Sequence, residues 1–330
     1  MACWLITGAT GFVGRHVLEL LKHELKREER TDDEIVVLGR RRPPGWPEER
    51  FVAADLAKPE TLGRAVKTVL PDYVIHTAGR TPPAADEVLF QANFWGTIQL
   101  LKALRGLNRR VKVTLAGSAA ELGPVPPAKL PVSESYPPDP VDAYGRSKHL
   151  ATIAALAEWP PLEVSVARVF NPVGPGMPPT QAFGEFATQL LAPGADPLPL
   201  LVGELETKRD FIDVRDVARA LIALALRGQS GLAYHVGSGV SRSVREGLEL
   251  LLRQSGRTVR LCVDPHRRER KGPVDSRADI RRITQHTGWL PEISLEQSLA
   301  DFWHERLAQH VAAAAPVAAR LPLTAEIALL

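Results

Sequence analysis

A doubly wound parallel α/β sheet followed by a smaller C-terminal subdomain is the fold this sequence predicts. Three observations carry that expectation. Short β-branched runs alternate with amphipathic stretches through the first half. The first run ends in a glycine-rich turn that opens a helix. Past Phe170, proline and glycine become dense and the alternation stops.

Taken in order, residues 4–6 are the first strand and 14–26 the first helix. The second strand is 35–38, and the third is 51–54 with a helix over 59–70. The fourth strand, 73–76, leads into one long helix over 88–107. The fifth, 111–115, precedes a helix over 143–157, and 164–168 is the sixth. Residues 172–199 predict loops and an irregular subdomain; helical patterns return at 214–227 and 243–255. A turn at Gly288-Trp289-Leu290-Pro291 and a helix over 295–310 close the fold. No repeat and no low-complexity linker intervenes, so the subdomain is fused rather than tethered.

With 330 residues the chain suits one large domain or two joined ones. A net charge of +3 is too small to make nucleic acid the main partner. Cys3 and Cys262 supply neither a disulfide framework nor a metal cluster. No apolar stretch reaches the roughly 18 residues of a membrane span. The Ala-rich tail comes nearest but is broken by Pro316, Arg320, Pro322 and Glu326. A start without a leader and a cytoplasmic, reducing setting are expected.

The turn Gly8-Ala9-Thr10-Gly11-Phe12-Val13-Gly14 places three glycines between a strand and a helix. Glycine lets the backbone approach a pyrophosphate, and the helix start offers free N–H groups and a partial positive charge. The second strand ends in Arg40-Arg41-Arg42, with no carboxylate to hold a ribose diol. Guanidinium groups there suit a 2′-phosphate, favouring NADP(H), with NAD(H) as the alternative. Asp55-Leu56 follows the third strand, where the aspartate can hold an adenine edge or cap the next helix.

Tyr144 and Lys148 stand four apart on one helix face. A cation about 4 Å from the phenol, at an effective dielectric of about 20, is worth roughly 4 kcal/mol. That lowers a phenol from about 10 to near 7, where it both gives and takes a proton. Ser118, just past the fifth strand, can share the substrate oxygen with Tyr144. Asn93, on the long helix, can pin a backbone group or a water near the lysine.

These residues, with His76-Thr77-Ala78-Gly79, Arg168-Val169-Phe170-Asn171 and Gly174-Pro175-Gly176, resemble the extended short-chain dehydrogenases/reductases, from Met1 to about His310. The resemblance implies an NAD(P)-binding Rossmann domain over 1–170, with 210–236 returning to it. It implies a nucleotide-sugar-binding subdomain over 171–209 and 237–310, a tail over 311–330, and a homodimer. Ser118, Tyr144, Lys148 and Asn93 would be catalytic. Gly8, Thr10, Gly11, Phe12, Val13, Gly14, Arg40, Arg41, Asp55, Leu56, Thr77, Ala78 and Gly79 would bind cofactor, together with Tyr144 and Lys148.

The stretch Arg209-Asp210-Phe211-Ile212-Asp213-Val214 is similar to that of the nucleotide-sugar branch, where the arginine faces the diphosphate. Ser118, Asn171, Arg209 and Arg270 would bind substrate. The implied partner is a nucleotide-diphosphate sugar, and the implied reaction is reduction of GDP-4-keto-6-deoxy-D-mannose to GDP-D-rhamnose. Dehydratases and decarboxylases of the family carry a carboxylate two residues past the catalytic hydroxyl; here Ala120 stands there and Glu121 comes one position late. Neither cysteine can play the acid-base role of the fucose-forming enzymes. Leu122 replaces the aromatic residue usual before Gly123. A 4-epimerase is the alternative enzyme, and a non-catalytic dinucleotide sensor the alternative of another class.

Overall fold

Trp4, Leu5 and Ile6 are all fully buried, which a strand achieves only inside a sheet covered on both faces. The computed structural model describes residues 2–27, 32–158, 162–264 and 274–314. The first half runs β1 (Cys3–Thr7), α1 (Phe12–Arg27), β2 (Glu34–Gly39), β3 (Phe51–Ala53), α2 (Pro59–Val69) and β4 (Tyr73–His76). It continues with α3 (Asp86–Phe90), α4 (Gly96–Arg105), β5 (Lys112–Ser118), α5 (Ala143–Ala157) and β6 (Glu163–Val169).

Further on lie β7 (Asn171–Val173), α6 (Ala182–Leu190), β8 (Leu198–Val202), β9 (Lys208–Asp213), α7 (Val214–Arg227) and β10 (Leu232–Val236). β11 (Ser241–Ser243), α8 (Val244–Ser255), β12 (Val259–Val263), a helix at Arg281–Thr287 and the C-terminal helix Leu295–Ala314 complete the order.

The main sheet has the order β10-β6-β5-β4-β1-β2-β3 and every pair in it is parallel. Alternation along β1 sends Trp4 and Ile6 to a core shared with α1 and α7, and Leu5 to one shared with α2, α4 and α5. The chain builds outward from β1 through β2 to β3, then crosses to β4 on the other side. The crevice this reversal leaves opens at the carboxyl ends of β1 and β4, where such sheets take ligands.

The proline-rich segment is more regular than its composition suggests. β7, β9 and β11 form a three-stranded sheet, and β8 pairs with β12. Phe183, Phe186, Leu200, Leu251, Phe302 and Trp303 pack into a separate core beside them. These strands are short and half-exposed, as Leu198–Val202 shows by burying alternate residues, so their sequences carry little β signal. Among the contacts that bind this unit to the first, Arg15 and His16 of α1 each donate to the Pro175 carbonyl at 2.8 Å.

Other differences from expectation are local. The long helix begins at Asp86, passes through a π-helical turn at Gln91–Trp95 and ends at Arg105. Trp289 and Ile283 pack with α1 and α7, the indole N–H donating to the Asp216 carbonyl at 3.1 Å. The final helix runs on to Ala314, and residues 315–330 lie outside the described ones. No helix among the described residues is long and apolar enough to cross a membrane.

Two fully buried histidines stay neutral in this fold. Burial, with the Lys148 charge adding to it, pushes His76 down to about 3. Burial and Arg168 push His235 down to about 4, against its bond to the Val132 carbonyl. The unfolded chain protonates both near their ordinary 6.5, so the stability they confer is complete above that pH and is lost as pH falls toward 4. Each should cost about 1.4 kcal/mol per pH unit within that window. Urea unfolding between pH 7 and 5 is expected to show a shallower loss in His235→Gln than in the natural chain, by about that amount; equal slopes would refute it.

Candidate active site

The glycine turn is built as a bare backbone cradle. Gly8 has φ +77°, its carbonyl accepts from Gly11 N at 2.8 Å, and a Cβ on Gly14 would run into that same carbonyl. Thr10 and Gly11 are exposed at the apex, while Phe12 and Val13 are half-buried in the first turn of α1. That turn holds no acidic residue, so its unpaired N–H groups and positive dipole end meet no internal anion. The donor set fits a dinucleotide pyrophosphate.

Around the cradle, Arg40 and Arg41 are exposed and hydrogen-bond to no described residue. Arg42 is committed to the Trp46 carbonyl at 3.1 Å. Asp55 accepts from Ala57 N at 3.0 Å, shaping the turn into α2, whose N-cap is Lys58. Leu56 packs against Gly96 and the second core.

Thr77 is held by the Thr7 carbonyl, and Ala78 by a hydrogen-bond chain that runs through His76. Thr97 Oγ1 donates to the Asn93 carbonyl (2.7 Å) and so accepts from His76 Nε2 (3.1 Å). His76 Nδ1 therefore accepts from Thr7 Oγ1 (2.6 Å), which in turn accepts from Ala78 N (3.4 Å). Asn93, 1% exposed in the π-helical turn, binds both the N–H and the carbonyl of Arg80 and donates to Ser147 Oγ at 3.0 Å. It thus pins a backbone group of the loop after β4 and ties that loop to α5. π-Helical turns of this kind gather at functional sites.

Asp142 caps α5 by accepting from Gly145 N at 2.7 Å, which sets Tyr144 in the first turn and Lys148 one turn on. Gly145 rests directly on the Ala120 carbonyl with no room for a Cβ. Ser118 ends β5, half-buried, beside the half-buried phenol of Tyr144.

The electrostatics differ from expectation. Burial raises Tyr144 above its ordinary 10, and the Ser118 hydroxyl only partly offsets this. The Lys148 ammonium donates to the Ala116 carbonyl at 2.7 Å and not to the phenol, and burial lowers it to about 8. Desolvation of both groups outweighs the attraction that spacing alone suggested.

Glu121 is fully buried and both of its oxygens are used. Oε1 accepts from Ser118 N at 2.8 Å, and Oε2 from Arg168 Nε at 3.0 Å. Breaking such a buried pair costs about 3–5 kcal/mol. Ser118, Ala119, Ala120 and Glu121 form a capping box, and the Ser-x-x-Glu spacing that signals it is present in the sequence. In the second unit, Asn171 donates to the Asp210 carbonyl at 3.1 Å, and Arg209 lies on β9 opposite Arg242, lowered by burial with Asp275 opposing. Arg270 lies outside the described residues. No cluster of metal-ligating side chains occurs among the described residues.

The chain is similar to known proteins along most of its length. Residues 4–237 match the model of the NAD dependent epimerase/dehydratase family. A GDP-6-deoxy-D-mannose reductase of Pseudomonas aeruginosa is 33% identical over 303 residues, 89% of this chain and 93% of that protein. A UDP-glucose 4-epimerase of Yersinia pestis is 28% identical, over 91% and 96%. The structure of RMD from Pseudomonas aeruginosa complexed with NADPH matches with a TM-score of 0.80 and 30% identity, covering 94% of this chain and 100% of the other.

Gly14→Ala should abolish dinucleotide binding while the chain still folds, because the added methyl displaces the Gly8 carbonyl from the cradle. Titrating NADPH against its fluorescence tests this; unaltered binding would remove the turn from the site.

Proposed function

The chain belongs to the NAD dependent epimerase/dehydratase family, and from that premise we propose that it reduces a nucleotide-activated 4-keto-6-deoxy sugar with NADPH, GDP-4-keto-6-deoxy-D-mannose to GDP-D-rhamnose in type. That it is an NAD(P)-dependent enzyme of the extended short-chain dehydrogenase/reductase kind follows from the family. The observation carrying the finer reading is the commitment of Glu121 to Ser118 and Arg168. With both oxygens held, Glu121 is not free to abstract a ring proton beside the hydroxyl, so dehydration loses that base. A hydroxyl, a phenol and an ammonium remain.

A bound reduced nicotinamide would supply the hydride to the carbonyl carbon. Ser118 polarises the carbonyl oxygen and Tyr144, protonated at neutral pH, gives it a proton. Lys148, with the backbone of Thr77, Ala78 and Gly79, holds the nicotinamide ribose side. Arg40 and Arg41 take the 2′-phosphate, and Asp55 and Leu56 the adenine. Asn171 and Arg209 take the nucleotide-sugar, Arg209 at its diphosphate.

Similarity to the epimerase supports a second reading, NAD-dependent 4-epimerisation. The two divide on one assay. With GDP-4-keto-6-deoxymannose, reduced-nicotinamide absorbance is expected to fall faster with NADPH than NADH, and Tyr144→Phe to lose at least about a hundredfold in rate. Replacing Arg40 and Arg41 by serine should erase the NADPH preference. Tightly held NAD and interconversion of UDP-hexoses would instead establish the epimerase.

A second copy of the chain is the proposed protein partner. Val88 and Trp95 on the α3–α4 side and Ile153 on α5 are 45%, 49% and 52% exposed, an apolar stripe on adjacent helices. Ile153→Glu should halve the mass measured by light scattering; an unchanged mass would move the interface elsewhere.

A further inference from the structure

Glu121 and Arg168 form a charged pair beneath the reacting groups, 0% and 5% exposed, that the chemistry above does not consume. Gly117 makes space for it, since a Cβ there would stand 2.6 Å from Glu121 Oε1. The carboxylate closes the 3₁₀ turn Ala119–Leu122 onto Ser118, and α5 is seated on that same turn through Gly145 against the Ala120 carbonyl. One buried anion therefore fixes both the end of β5 that carries the hydroxyl and the helix start that carries the phenol.

We propose that Glu121 is a positioning residue for this reduction: its carboxylate holds the Ser118 turn against α5 and stands as a buried negative charge beside Tyr144, the proton donor. The proposal rests on the reductase reading above.

The groups facing this anion come from four elements. β5 contributes the Ser118 amide, β6 Arg168, and β10 His235. α5 contributes Tyr144, Lys148 and His149, the last with Nδ1 3.9 Å from Glu121 Oε2, beyond hydrogen-bond reach. Asp142 at the cap of α5 adds a second negative charge near Tyr144. Burial pushes the Glu121 carboxyl up, but Arg168 and the Ser118 amide, both within hydrogen-bond reach, hold it below the usual range, so it is an anion at neutral pH. That anion disfavours the phenolate and favours the ammonium of Lys148. Each reduction moves the Tyr144 hydroxyl proton to the substrate oxygen, and water returns a proton to the phenolate. A site that keeps the phenol protonated when idle suits this direction of proton flow.

The test uses the full chain, with and without ligands. Phenolate absorbance is titrated with Tyr144→Phe subtracted, which isolates one of four tyrosines. Glu121→Gln is expected to ionise Tyr144 at lower pH than the natural chain. Should the unpaired Arg168 prevent folding, the double variant Glu121→Gln with Arg168→Gln replaces the pair by neutral amides and should shift the same way. The alkaline fall in kcat/KM for NADPH-dependent reduction should move down with it, a displacement that mere loosening of the turn would not give. An unmoved Tyr144 titration in the folded variants overturns the proposal. Failure of the natural chain to turn over this substrate would overturn the reductase reading instead, while the ligand-free titration still decides the role of Glu121.

Discussion

Parallel pairing of β1 with β2 on one side and β4 on the other is the constraint on which the rest of the molecule depends. A strand in that place has no solvent face, so its residues are apolar and its only polar business is at its carboxyl end. There the chain leaves through Gly8 just after β1 and Thr77 just after β4, side by side, and a crevice opens between them. The His76 network shows how tightly that edge is held: a neutral imidazole is wedged between Thr7 and Thr97 because a charged one could not be desolvated there.

The second dependence is on α5. Its apolar side packs into the core beneath β5 and β6 through Ala151 and Ala155, while its first two turns carry Tyr144 and Lys148 to the crevice. Close seating demands glycine at 145, and the turn it rests on demands an internal cap. Glu121 supplies that cap and Arg168 neutralises it. A charge so deeply buried is tolerated only with both oxygens satisfied, which also removes it from service as a general base.

The smaller unit meets the first through few polar contacts, Arg15 and His16 to Pro175 among them, and through Arg215, which bridges Asp213 and Asp301.

The sequence by itself determined the sheet and the candidate chemistry. Apolar runs at strand length, the glycine turn after the first of them and the Tyr144–Lys148 spacing are local patterns, and local patterns survive translation into structure. Even the cap at Ser118 was legible as Ser-x-x-Glu, though its partner Arg168 was not, lying 47 residues away on another strand. The short strands of the second unit escaped because half-exposed edge strands carry little hydrophobic periodicity. Only the tertiary structure decided how the candidate acid-base groups are charged. Spacing along a helix suggested a phenol eased toward neutrality by its lysine; burial, and the Ala116 carbonyl that captures the ammonium, set both groups otherwise. Desolvation depends on what packs around a group from distant parts of the chain, and no local pattern records it.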